Sequence, residues 1–175
     1  MLAAPGQLEI VLIAFVLALA IIDFRTHRIP NLLSAIAAMY GLTLQVAIHG
    51  EAGLFAAFGG AAVGFAMFLP FYVVRAFGAG DVKAMATVGI FLGVQSTVHA
   101  VGFTLIAGGV LGVLTICLKP ADANATLHRL VALLCTPLAS MRDSISSQAP
   151  DSRVRFPYGV AIACGVAVAL IVKVH

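Results

Sequence analysis

The chain contains 175 residues, of which 62% are hydrophobic and 10% are charged, and its mean hydropathy is +1.10. A soluble domain carries about 25% charged residues, so this chain lacks the polar groups needed to cover a soluble surface. The composition excludes an ordinary soluble domain, a disordered chain and a coiled coil, and it predicts one membrane-embedded domain over residues 1–175. The net charge of +3 comes from basic residues that lie between apolar runs rather than in a patch, which argues against a nucleic acid partner.

Six apolar runs predict an all-α membrane protein. The predicted spans are about 8–23, 31–49, 53–75, 82–94, 96–118 and 156–173. The uncharged stretch from Ala84 to Leu118 is divided into two spans, because a single helix would be longer than about 50 Å and a bilayer core is only about 30 Å thick. The polar group at 95–97, directly after Gly93 and Val94, is the predicted turn between them.

The positions of Lys and Arg predict that the N-terminus lies outside. In this orientation, all of the ten Lys and Arg residues except Lys173 fall on the cytoplasmic side. Cytoplasmic loops carry an excess of Lys and Arg, so the span count and the orientation support each other.

Residues 121–150 lie between the fifth and sixth predicted spans and are too polar to cross the membrane. Their apolar residues recur at helical spacing, at Leu127, Leu130, Val131, Leu134, Leu138 and Met141. This pattern predicts a cytoplasmic amphipathic helix that lies on the membrane interface. The helix would be either a connector or a platform for the substrate or a partner.

Two acidic residues lie where topology alone does not explain them. Asp23 follows the first apolar run and Asp81 stands at the start of the fourth, so both fall on the cytoplasmic side. An ionisable residue at membrane depth usually has a partner or a function. Asp23 could pair with Arg25 or Arg28, and Asp81 could cap its helix and pair with Lys83. Alternatively, the two carboxylates take part in a reaction, or they bind a cation or relay protons in a small transporter or channel.

Two carboxylates within hydrogen-bond reach can act as an acid and a base. They do not ionise together easily, so one holds a proton while the other stays charged. In peptide hydrolysis the charged one would deprotonate an attacking water, and the protonated one would donate to the oxyanion and later to the amine. This chemistry requires no metal and no cofactor. Gly78 and Gly80 remove side-chain bulk beside Asp81, which would let a substrate backbone approach it.

Two segments together resemble the type IV prepilin peptidases, which are membrane aspartic peptidases of the G-x-G-D kind. The first segment is DFRTHRIPN at 23–31, and the second is GAGDVK at 78–83. The resemblance covers essentially the whole chain, because six spans with aspartates in these places is the family's plan. It implies that Asp23 and Asp81 are the catalytic residues. The supporting motif positions, whose flanking members have no assigned role, are Gly78, Gly80, Lys83, Pro30 and Asn31.

A third segment, FPYG at 156–159, is similar to the one that opens the family's last span. Val160 stands where a second proline is often found, which leaves a substrate-positioning role for this stretch open.

The resemblance implies cleavage of the short basic leader of prepilins or pseudopilins at the cytoplasmic face of the bacterial inner membrane. We expect the active site to be a water-accessible notch at that interface, because hydrolysis needs water and both aspartates lie at span ends. The segment 23–31 is too short for the cysteine-containing insertion of larger members, so the resemblance implies the minimal, peptidase-only type of Flp, or tight-adherence, pili. Archaeal preflagellin peptidases share this plan and remain an alternative, as do a transporter and a structural partner of a secretion machine.

Overall fold

The structure is a computed structural model, and it describes residues 5–26, 30–73, 77–118 and 158–174. The helices are α1 (Pro5–Thr26), α2 (Asn31–Val73), α3 (Ala79–Leu118) and α4 (Tyr158–Val174). Every element in these ranges is a helix, which confirms the all-α prediction for this part of the chain. The predicted interfacial segment 121–150 lies outside the described residues.

The chain divides into two compact units, and both aspartates belong to the larger one. This unit comprises Met1–Gly108 and Pro157–His175, and the second comprises Gly109–Phe156. Within the second unit, the described residues are the C-terminal end of α3, where Val110, Val113 and Leu114 are exposed.

The starts of α2 and α3 are fixed by local backbone hydrogen bonds. The carbonyl of Pro30 accepts from the N–H groups of Leu33 at 3.2 Å and Ser34 at 3.5 Å, which begins α2. Proline suits a helix start because its missing N–H has no helical partner there in any case. At α3, the N–H of Asp81 donates to the carbonyl of Gly78 at 3.1 Å.

A glycine with a non-helical backbone interrupts each of the two long helices. Gly50 in α2 has φ 61° and ψ −137°, and Gly93 in α3 has φ 73° and ψ 179°. Side-chain-bearing residues rarely adopt a positive φ, whereas glycine does so at no steric cost. The predicted boundary near 50 is therefore confirmed as a helix break. The second break lies at Gly93 itself, and the predicted turn at 95–97 is helical instead.

The contacts of α3 show that the chain doubles back at Gly93. The ring of Tyr158 packs on that of Phe77, just before α3, with centroids 4.2 Å apart. The same ring lies against Gly108, where an added Cβ would be 2.9 Å from its Cε1 atom. In an unbroken helix, Ala79 and Gly108 would be about 44 Å apart, which is too far for one side chain to reach both ends.

The same reasoning applies to α2, which doubles back at Gly50. Gly41 lies against the ring of Phe91, and Gly60 lies against the backbone of Gly89. An unbroken helix would separate Gly41 from Gly60 by about 28 Å, yet both contact the same turn of α3. Glycine on both sides of the Gly60–Gly89 contact lets the two backbones approach closely.

A buried polar side chain lies beside the break at Gly93. The Nε2 of Gln45 donates to the carbonyls of Ile90 at 3.1 Å and Phe91 at 3.0 Å. These carbonyls precede the break, where the regular helical donors are lost. The Oε1 of Gln45 lies 3.0 Å from Nδ1 of His49, so the amide is bonded at both ends.

The helices are apolar on their inner and outer faces. Helix α1 packs on α4 and α2. The largest fully buried apolar side chains are Phe68, Leu12, Leu19, Met85, Ile162, Val88, Val101 and Val166. Outward-facing residues such as Ile10, Phe55 and Ile171 are more than half exposed. A helix that is apolar all round suits a lipid environment.

Among the residues that the structure describes, three helical stretches are long and apolar enough to cross a membrane, and a fourth apolar helix is shorter. The long ones are Gly6–Thr26, Asn31–Val73 and Ala79–Leu114, and the shorter one is Tyr158–Val172. The breaks at Gly50 and Gly93 divide the two longest, but the number of crossings and the orientation stay predictions.

Candidate active site

Asp23 lies in the last turn of α1, and its side chain is only 5% exposed. Its Oδ2 atom accepts a hydrogen bond from the backbone N–H of Gly159 at 2.6 Å. Gly159 is the second residue of α4, so the donor comes from the other end of the sequence. A buried carboxylate needs such a donor because it has left its hydration shell. This bond orients the Asp23 side chain through α4, a helix that is remote from Asp23 in sequence.

Asp81 lies in the first turn of α3 and is held within its own segment. Its Oδ2 atom accepts from the N–H of Gly78 at 2.9 Å, while its own N–H donates to the Gly78 carbonyl. This reciprocal pair has the form of a capping box, with the acidic side chain reaching back to the residue that precedes the helix. The N-terminal end of a helix also favours a negative charge. The capping role considered for Asp81 is therefore present in the structure.

The two aspartates lie close together although they belong to different helices. The carboxylate of Asp23 is near enough to act electrostatically on Asp81, and Asp81 acts in the same way on Tyr158. Neither aspartate forms an ion pair with another described residue. The other predicted partner of Asp23, Arg28, lies outside the described residues.

An aromatic cluster joins the segments that hold the two carboxylates. Phe77 precedes Gly78, and Tyr158 precedes Gly159, so each aromatic residue adjoins the glycine that binds an aspartate. The Phe77 ring packs on Tyr158 at 4.2 Å, on Phe71 at 4.9 Å and on Phe68 at 5.0 Å between centroids.

The remaining supporting residues lie around the starts of α2 and α3. Lys83 donates through Nζ to Oδ1 of Asn31 at 3.1 Å, which links the first turns of the two helices. Its partner is thus Asn31 rather than Asp81. Pro30 supplies the carbonyl that begins α2. Gly80 is half-buried in the first turn of α3.

The approach to the pair is from the side of Asp81. Gly78, Ala79 and Lys83 are exposed and Asp81 is partly exposed, whereas Asp23 is buried. A substrate or a water molecule arriving from this side would meet Asp81 first.

Residue types indicated no partner for Asp23 other than a nearby arginine. A backbone amide carries no side-chain signature, so the Gly159 contact could not be read from residue types. The FPYG segment at 156–159 was the sequence feature that pointed to this part of the chain, because it marked the start of the last helix.

A comparison with known families assigns the chain to one of them. A profile of the type IV leader peptidase family matches residues 10–113. The chain belongs to this family. Searches of curated proteins and of solved structures find no match.

Family membership has direct consequences for the chain. The protein is a protease of the leader peptidase kind, with prepilin-type substrates in general, and it is a multi-pass membrane protein. The match covers most of α1, all of α2 and most of α3, so both aspartates lie inside it. Helix α4 lies beyond the matched residues, and its contact with Asp23 comes from the structure alone.

Proposed function

We propose that this protein is an aspartic prepilin peptidase in which Asp23 and Asp81 are the catalytic residues. The observation that carries the proposal is that the two aspartates are held by glycines next to packed aromatic rings in a chain of the leader peptidase family: Gly159 binds Asp23, Gly78 binds Asp81, and the adjoining Tyr158 and Phe77 rings lie 4.2 Å apart. The substrate is the short basic leader of an Flp-type prepilin, and cleavage takes place at the cytoplasmic face of the inner membrane.

The chemistry uses the two carboxylates in different protonation states. The ionised one takes a proton from a water molecule, and the resulting hydroxide attacks the scissile carbonyl. The protonated one donates its proton to the oxyanion that forms, which gives a tetrahedral diol. The first carboxylate then passes the proton taken from water to the leaving amine, and the second recovers its proton from the diol as the C–N bond breaks, so no covalent enzyme intermediate forms. Each aspartate has one oxygen bound by a backbone N–H, and a carboxylate retains further acceptor capacity on its other oxygen.

The substrate's own charge pattern would help to orient it. A prepilin presents a basic leader at the cytoplasmic face and an apolar helix in the bilayer, which is the arrangement favoured by the positive-inside preference. The exposed apolar faces of the helices offer lateral docking for such a helix. The scissile bond at their junction would then lie near the membrane interface.

The test is a cleavage assay on membranes that contain the protein and a prepilin substrate. We expect Asp23→Asn and Asp81→Asn each to lower the rate of leader removal by at least about 100-fold, because each removes an acid–base group. Glu51→Gln is the matched control, since Glu51 is an exposed carboxylate next to the break at Gly50. It should cleave at the wild-type rate.

Full cleavage by either aspartate variant would contradict the dyad and favour the transporter or structural alternatives. A preflagellin substrate, tested in parallel, separates the substrate classes. Cleavage of preflagellin without cleavage of the Flp-type prepilin would overturn the Flp assignment and leave the aspartic mechanism intact.

A further inference from the structure

The first two residues of α4 contact the segments of both aspartates. The N–H of Gly159 donates to Oδ2 of Asp23 at 2.6 Å. A Cβ at this position would lie 2.8 Å from the Asp23 Cβ and 2.7 Å from the Leu19 Cδ2. Real Cβ atoms essentially never approach other heavy atoms this closely, so only glycine fits without displacement of Asp23 or Leu19.

Tyr158 fixes where this amide lies. Its ring packs on Phe77 from one side, with centroids 4.2 Å apart. It also occupies the space that Gly108 leaves free, since a Cβ at 108 would be 2.9 Å from Cε1 of the ring. Tyr158 is bonded directly to Gly159, so a ring held between Phe77 and Gly108 restricts the position of the Gly159 N–H.

The two aspartates differ in what orients them. Asp81 is bound by Gly78, three residues away in its own capping turn. Asp23 is bound by Gly159, which is 136 residues away in sequence. The orientation of Asp23 therefore depends on the docking of α4, whereas that of Asp81 is set locally.

We propose that Tyr158 and Gly159 are positioning residues that orient Asp23 toward Asp81 for hydrolysis. Gly159 binds one carboxylate oxygen and leaves the other for water or a shared proton. Tyr158 joins this amide to Phe77, and hence to the turn that holds Asp81. This inference rests on the proposed aspartic peptidase function and adds α4 to the catalytic arrangement.

The first test is Gly159→Ala, assayed as kcat and KM on folded protein purified by size exclusion in detergent. We expect kcat to fall by about 100-fold, because a displacement of about 1 Å in a catalytic group can cost that much. KM should stay near the wild-type value, since Gly159 is buried and offers the substrate helix no exposed surface.

Leu19 separates loss of positioning from loss of packing. Leu19→Ala makes room beside the new methyl group but does not relieve its contact with Asp23. Leu19→Ala alone should keep a kcat near wild type, and the double variant should remain as slow as Gly159→Ala. Wild-type kcat in Gly159→Ala, or its recovery in the double variant, would overturn the proposal for Gly159.

Tyr158 provides an independent test that does not depend on the folding of the glycine variant. Tyr158→Leu removes the ring and should lower kcat with little change in KM, whereas Tyr158→Phe keeps the ring and should restore most of the loss. Equal losses in both variants, or no loss in Tyr158→Leu, would overturn the role of the ring.

Asp23→Asn in the same assay distinguishes this inference from the function on which it rests. An active Asp23→Asn would contradict the aspartic mechanism itself. An inactive Asp23→Asn together with a fully active Gly159→Ala would contradict only the positioning role.

Discussion

The hydrogen bond between Lys83 and Asn31 joins two helix starts near the aspartates. Lys83 donates through Nζ to Oδ1 of Asn31 at 3.1 Å. The carboxylate of Asp81 is turned back to the Gly78 N–H, so Lys83 reaches α2 instead. The pair therefore links the first turn of α2 to the turn of Asp81.

We expect the effects of Asn31→Ala and Lys83→Met on stability to be non-additive. Their coupling should be about 0.5 to 1 kcal/mol, the lower part of the range for a hydrogen bond, because the pair is exposed. Thermal unfolding of the two single variants and the double variant in detergent measures this energy.

Lys83→Met combined with Arg25→Met is the control cycle, since Arg25 is an exposed basic residue on α1. The control should give additive effects. Additivity in the Asn31 cycle as well would show that the bond does not join the two helices in solution.

At the scale of elements, two glycines turn two long helices into hairpins. Gly93 allows Phe77, just before α3, and Gly108 to reach the same ring of Tyr158. The polar bonds of Gln45 satisfy carbonyls at this break. Without the break, α3 would carry Gly108 about 44 Å away from Ala79, and Tyr158 could not reach both Phe77 and Gly108.

We expect Gly93→Ala to lower the free energy of unfolding by about 1 to 3 kcal/mol, because alanine is strained at φ 73° and ψ 179°. Space is not the cause, since the nearest atom to an added Cβ, the Cβ of Ala56, is 3.8 Å away. Thermal unfolding in detergent measures the change.

Gly102→Ala is the matched control in the same helix. Gly102 has helical geometry and nothing within 4 Å of an added Cβ, and alanine favours helix more than glycine does. The control should be as stable as wild type or more so. Equal stability of Gly93→Ala and Gly102→Ala would contradict a tight break at Gly93.

At the scale of the whole molecule, the orientation of the protein in the membrane decides on which side the aspartates lie. The hairpins at Gly50 and Gly93 bring the end of α1 and the starts of α3 and α4 together. If each hairpin crosses the bilayer twice, the distribution of basic residues assigns this end to the cytoplasm.

We expect a topology reporter fused after Lys119 to be cytoplasmic and one fused after His175 to be outside. The physical reason is the positive-inside preference, to which Lys173 is the single exception. Reporter activity in whole cells measures the side. The reverse result would place both aspartates on the outer face and would contradict cleavage on the cytoplasmic side.

Much of the fold could be predicted because its signals are local. Long apolar runs predicted the helices, and the gaps and polar residues between those runs indicated where they break, although the second break falls at Gly93 rather than at 95–97. The difference arises because a single glycine at positive φ reverses the chain without a polar turn. Asp23 and Asp81 were recognisable from their motifs, and the structure brings them close together.

The sequence by itself determined that this protein is membrane-embedded, helical and equipped with two unexplained carboxylates, because composition and motif are properties of residue types. Only the tertiary structure decided what binds Asp23 and Lys83. Lys83 binds Asn31 rather than Asp81, and Asp23 is bound by the amide of Gly159. These partners depend on how helices far apart in sequence pack together, and a backbone N–H is common to every residue except proline, so residue types alone could not assign Gly159 to Asp23.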